Sequence, residues 1–113
     1  MQHRDRIALQ KILEIIRETE EIFANTSLEN FLKNNERKWA MTMSILRIGE
    51  LVKNLTDDFR KQNSQVKWKA IAGFRDIIAH KYDALDMNEV YKTIKYEFPE
   101  LKEQIEKILE NEI

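Results

Sequence analysis

The chemistry in this chain concentrates in one short stretch, Arg75-Asp76-Ile77-Ile78-Ala79-His80-Lys81-Tyr82-Asp83. Arg75, Asp76, His80 and Tyr82 interrupt a run that is otherwise helical and apolar on one side. At about 100° per residue, Asp76 and His80 lie about 40° apart, one turn from each other, and Asp83 follows a turn later. Asp76 is thereby placed to orient the His80 imidazole and to favour its protonated form. A histidine with an arginine suits phosphodiester chemistry. Neutral imidazole can take a proton from a ribose 2′-hydroxyl, imidazolium can protonate the leaving oxygen, and guanidinium can hold the phosphorane charge bidentately. Cleavage of that kind needs no metal and leaves a cyclic phosphate.

Two other readings fit the same residues. One is a surface ion-pair cluster at a helix C-terminus, where His80 and Lys81 offset the macrodipole. The other is a metal site of Asp76, His80 and Asp83, for which three adjacent ligands need support from elsewhere. Arg75 adds a geometric difficulty. It stands about 140° round an ideal helix from His80, so the two do not point at one small target from a single helix. A second copy of the motif facing the first would bring them together, which motivates a dimer. His3, the other histidine, sits in a polar terminal hexapeptide expected to fray.

The elements that must carry these residues are helical. Among 113 residues there are only two glycines and one proline. A sandwich or barrel needs turn residues every ~8 to 12 positions. Apolar residues recur at helical spacing over Ile7–Phe23, and Thr26 with Glu29 has capping-box spacing for a short second helix through Leu32. A long helix is expected from about Glu36 to Leu55, a loop over Thr56–Lys67, and a fourth helix from Trp68 to about Tyr82. Asp86 and Glu89 can cap a fifth segment, and Pro99 suits the first turn of a last helix running from Leu101 to Ile113. The expectation is one all-α domain, residues 1–113, built as an up-and-down bundle of about four to five helices. The phase of Trp39 and Trp68 places both in its core rather than on a base-stacking surface. Gly49 and Gly73 fall inside helices, at about 1 kcal/mol each relative to alanine. Close backbone approach, within the bundle or across a dimer seam, is the expected reason.

Composition excludes several classes. No cysteine is present, which removes disulfides, thiolate nucleophiles and cysteine-ligated metal centres. No apolar run approaches the ~18 residues of a membrane span, and the polar N-terminus resembles no leader, so a soluble, unprocessed, cytoplasmic protein is expected. No phosphate-cradling glycine loop or dinucleotide fingerprint exists. The formal net charge of −1 gives no global field for nucleic acid, but its distribution is uneven. Residues 60–81 carry six basic side chains against Asp76 alone, whereas residues 83–113 carry nine acidic against four basic. Lys67, Lys69 and Lys81 in the basic stretch are candidate phosphate contacts.

Arg75, Asp76, His80 and Tyr82 match an R-x4-H-x-Y pattern, and with it the sequence resembles the HepT-like family of HEPN domains. Arg37–Glu50 ending Ile48-Gly49-Glu50, the approach Trp68–Phe74 and Phe98-Pro99-Glu100-Leu101 extend the resemblance over about residues 5 to 110. It implies a metal-independent ribonuclease, the toxin of a toxin–antitoxin pair, working as a homodimer whose motifs face each other across a cleft. Arg75 and His80 would be catalytic and Asp76 their orienting neighbour, with RNA as substrate, no cofactor or metal, and no DNA or membrane partner. The family's partner is a minimal nucleotidyltransferase antitoxin, MntA-like, that transfers AMP to the motif tyrosine, here Tyr82. From its residue type alone, Tyr82 also fits a half-buried ring closing the bundle end. The residue after the arginine is often asparagine in this family, and Asp76 is a variant. Glu50 matches the family's Gly-Glu glutamate and takes no role beyond polar support or interface. A non-catalytic nucleotide- or substrate-binding subunit of a nucleotidyltransferase complex is the alternative function.

Overall fold

The computed structural model describes residues 1–111, and every regular element among them is helical. In order these are α1 (His3–Phe23), α2 (Leu28–Lys33), α3 (Asn35–Lys53), α4 (Asp57–Gln62) and α5 (Trp68–His80). One 3-10 turn (Tyr82–Ala84), α6 (Met87–Lys92), a π-helical turn (Thr93–Glu97) and α7 (Phe98–Glu110) follow. The expected bundle is present, with α1, α3, α5 and the continuous run α6–α7 as its long members. Glu112 and Ile113, the end of the expected last helix, lie outside the described residues. No helix among the described residues is long and apolar enough to cross a membrane.

The apolar stripe of α1, Leu9, Ile12 and Ile16, is fully buried against Met41, Ile48 and Val52 of α3 and Ile105 of α7. Each such side chain contributes about 1.5–3 kcal/mol on leaving water, enough to fix α1, α3 and α7 as the centre. Helix α5 instead packs chiefly on α3 and stands at the edge. The molecule measures 43 × 29 × 19 Å, so it is only two helix diameters thick and α5 keeps one side open.

Local chemistry moved several boundaries. The cap of α2 is Ser27, whose hydroxyl accepts from the Asn30 N–H at 3.2 Å, not Thr26. Thr26 is buried: its hydroxyl accepts from Arg37 and its carbonyl accepts from the Tyr91 hydroxyl at 2.9 Å. Asn25, at φ 58, makes the left-handed turn that ends α1. The expected loop over Thr56–Lys67 contains α4, because the Thr56 hydroxyl caps the Phe59 N–H and Asp57 and Asp58 oppose the dipole in the first turn. The terminal hexapeptide is also held. Asp5 is fully buried, and its carboxylate accepts from the Gln2 N–H (3.1 Å), the Thr56 N–H (2.7 Å) and the Thr56 hydroxyl (2.9 Å). Arg4 donates twice to the Asn54 carbonyl at the end of α3.

Pro99 stands in the first turn of α7, as expected, but α7 is not a separate helix. The chain passes from α6 to α7 through the π turn, where the Phe98 N–H reaches back five residues to the Thr93 carbonyl. That shift accommodates a proline with no N–H of its own within one continuous rod.

Candidate active site

Helix α5 is regular to its end, where the Lys81 N–H still donates to the Ile77 carbonyl at 2.8 Å. Arg75 and His80 therefore keep their separation of about 140° round the helix and about 7.5 Å along it. Arg75 turns inward to α3. Its stem crosses the α3 backbone at Gly49, where an added Cβ would collide with Arg75 Cβ and stand 2.6 Å from its Cγ. This explains Gly49 by packing within the chain. Nothing approaches within 4 Å of the corresponding position on Gly73, which is exposed.

Beyond Gly49 the guanidinium emerges between two carboxylates. One terminal nitrogen donates to Glu50, and the other to Asp76 Oδ1 at 3.2 Å. The Arg75 Nε is buried without a partner. Lys53, one turn beyond Gly49 on α3, donates to the same Asp76 oxygen at 2.5 Å. The Lys53 hydrogen bond above all, with Arg75 behind it, holds the Asp76 carboxyl below its ordinary value of 3.8. The result is an alternating set, Glu50, Arg75, Asp76 and Lys53, at the α3–α5 contact.

This differs from the expected Asp76–His80 pair. Among the described residues no hydrogen bond joins them, because the carboxylate faces two full cations across the α3–α5 contact. His80 is exposed at the last position of α5, free to take or give a proton to a bound molecule. Among the described residues no three His, Asp or Glu side chains are grouped to hold a metal ion, so Asp76, His80 and Asp83 form no cage.

Tyr82 lies on the 3-10 turn that follows, its ring stacked on Trp39 of α3 at 5.3 Å between centroids and 23° between planes. Trp68 is in the core, 4% exposed, with its indole N–H on the Asn63 carbonyl at 3.0 Å. Trp39 is not: it is 60% exposed, since the edge position of α5 leaves the start of α3 uncovered on that side. Lys67 and Lys69 border an open groove with Arg60 and Lys61 at the start of α5. They stand roughly 20 Å along the helix from Lys81 and the motif, so the three lysines are not brought together.

Nothing in the sequence singles out Lys53, and Glu50, expected only as polar support or interface, proves to support Arg75. Glu50 and Lys53 are three residues apart on α3, hence on one face with Gly49 next to them, but only the pairing of α3 with α5 shows what they bind.

An all-helical bundle with an arginine anchored by carboxylates and an exposed histidine five residues on defines the class of small R-x4-H helical proteins. The model of one family, described as ribonuclease HepT-like, matches residues 12–108, and the chain belongs to that family. "Putative RNase TTE0752" of Caldanaerobacter subterraneus subsp. tengcongensis is 42% identical over 76% of this chain and 77% of its own. "Putative RNase MJ1216" of Methanocaldococcus jannaschii is 35% identical over 91% of this chain and 85% of its own. "Probable ribonuclease HepT" of Thermococcus cleftensis is 32% identical over 94% of both. No solved structure matches significantly.

Proposed function

We propose that this protein is a metal-independent RNA endonuclease, the toxin of a toxin–antitoxin pair whose other member is an MntA-like minimal nucleotidyltransferase. The observation that carries the reading is Arg75: its guanidinium is anchored through Gly49, Glu50 and Asp76 while His80 stands exposed at the end of the same helix. A scissile phosphate exchanges for a carboxylate on Arg75, which then offsets the charge of the phosphorane. His80 takes the 2′-hydroxyl proton and the partner copy's histidine, as imidazolium, protonates the 5′-oxygen, leaving a 2′,3′-cyclic phosphate. Glu50 and Asp76 are positioning residues, acting through Arg75.

A homodimer is part of this reading, because the regular α5 keeps Arg75 and His80 apart within one chain. Three features of the open side of α5 support it. Ile77 is 49% exposed, the space a Cβ on Gly73 would take is open, and a cleft of about 330 Å³ runs between α5 and α7, lined by Ile71, Phe74, Phe98 and Leu101. Tyr82, exposed beside His80, is the acceptor of AMP from the antitoxin; a charged adenylate there excludes RNA and competes for Arg75.

Purified protein, incubated with single-stranded RNA and a chelator, tests the nuclease. Wild type should yield 2′,3′-cyclic ends, and His80→Ala should lose about 10²-fold or more in rate. Equal cleavage by wild type and His80→Ala ends the reading. Co-expression with the neighbouring nucleotidyltransferase should add one adenylate mass to the wild type and none to Tyr82→Phe.

A further inference from the structure

We propose that Trp39 is a base-stacking subsite, taking the nucleobase next to the scissile phosphate of single-stranded RNA. This rests on the ribonuclease reading and adds to it a named contact with the base. An indole on an amphipathic helix is ordinarily buried, as Trp68 is here at 4% exposure, but Trp39 is 60% exposed. It is also not free to turn. One face lies on the Tyr82 ring at 5.3 Å and 23°, a nearly parallel stack that fixes the plane of the indole. A pre-set aromatic plane with its second face uncovered is what a flat base needs, because little side-chain freedom is lost when it stacks.

Its position suits the nucleotide at the cleavage point. Tyr82 is two residues beyond His80, so the Tyr82–Trp39 stack lies just past the end of α5 that carries the histidine. Lys38, adjacent to Trp39, and exposed Lys81, adjacent to Tyr82, supply cations for the flanking phosphates. Stacking tolerates every base, since each has a π face, so this subsite favours unpaired over duplex RNA without selecting a sequence. Stem-loop RNA would then be cut in its loops.

Tryptophan fluorescence reads the contact directly, because Trp39 is exposed and Trp68 is not. The His80→Ala protein is titrated with a single-stranded RNA of about 12 nucleotides and, separately, with a base-free sugar-phosphate chain of the same length. Base-bearing RNA should quench the emission and the base-free chain should not. Trp39→Ala should abolish the quench and weaken RNA binding about fivefold or more, and Trp39→Phe should restore most of the affinity. In the enzyme with His80 intact, Trp39→Ala should raise KM more than it lowers kcat. Equal quenching by the base-free chain, or unchanged affinity in Trp39→Ala, overturns the proposal. Conversion of a dimer to monomers by Trp39→Ala also overturns it, since the indole would then serve a second copy. Failure here is separable from failure of the nuclease reading: base-dependent quenching without cleavage in any variant retires the nuclease and keeps the subsite, and cleavage without quenching does the reverse.

Discussion

The stem of Arg75 crosses helix α3 at Gly49 so closely that no side chain fits at that position. Gly49 is thus a requirement of the arginine's placement. The roughly 1 kcal/mol that a mid-helix glycine costs is offset by letting α5 seat Arg75 between Glu50 and Asp76.

Gly49→Ala forces α5 outward or turns Arg75 away from Glu50. Overpacking of this kind costs about 1–3 kcal/mol, visible as a lower urea midpoint. Under the nuclease reading, cleavage falls further than the folded fraction does. A variant with wild-type stability and activity would show that the α3–α5 contact is looser than described.

Gly73 predicts the opposite in the isolated chain. With open space around it, Gly73→Ala should stabilise a monomer by up to about 1 kcal/mol. If α5 forms the dimer seam, Gly73→Trp should shift the sedimentation coefficient from dimer to monomer without lowering helix content. A wild type that sediments as a monomer, or a Gly73→Trp protein that remains dimeric, removes the seam from this face.

Asp5 fastens the N-terminus of α1 to the α3–α4 corner through two hydrogen bonds from Thr56, and accepts a third from the Gln2 N–H of its own first turn. Asp5→Asn keeps the shape but replaces charge-assisted bonds with weaker ones and turns an amide N–H₂ toward donors, costing about 1.5–3 kcal/mol. Denaturant unfolding measures this, and exchange protection of the first turn of α1 should fall with it. Loss below about 0.5 kcal/mol would mean that the corner holds without Asp5.

Asp76 sets a limit on pH dependence. Its carboxyl titrates below 3.8 in the folded chain, principally through the Lys53 hydrogen bond and then Arg75. The stabilisation from that shift is fully present above the ordinary value and is lost as pH falls through the lower folded value. Asp76 therefore stays ionised across the range where imidazole titrates, around pH 6.5. The activity of Asp76→Asn should follow the same dependence on pH above about 5 as the wild type. A dependence on pH in that range that disappears in Asp76→Asn would contradict the pairing of Asp76 with Lys53.

The sequence by itself determined the long helices and the motif. Apolar spacing, scarce glycine and the single proline are local properties, and they sufficed for an all-α bundle with Arg75, Asp76, His80 and Tyr82 on or beside one helix. The caps at Ser27 and Thr56 differ from the sequence expectation, since short helices such as α2 and α4 are settled by what their buried phenylalanines, Phe31 and Phe59, pack against. Tertiary structure alone decided which partners the motif has. Asp76 has one turn-neighbour on its own helix, His80, and a better one, Lys53, that is 23 residues away in sequence and 2.5 Å away in space. Trp39 has the phase of a core residue, yet a helical period says which side chains share a face, not whether another helix covers that face. Here α5 packs on α3 from the edge of a molecule two helices thick, and the uncovered end of α3 leaves Trp39 stacked on Tyr82 and open to solvent.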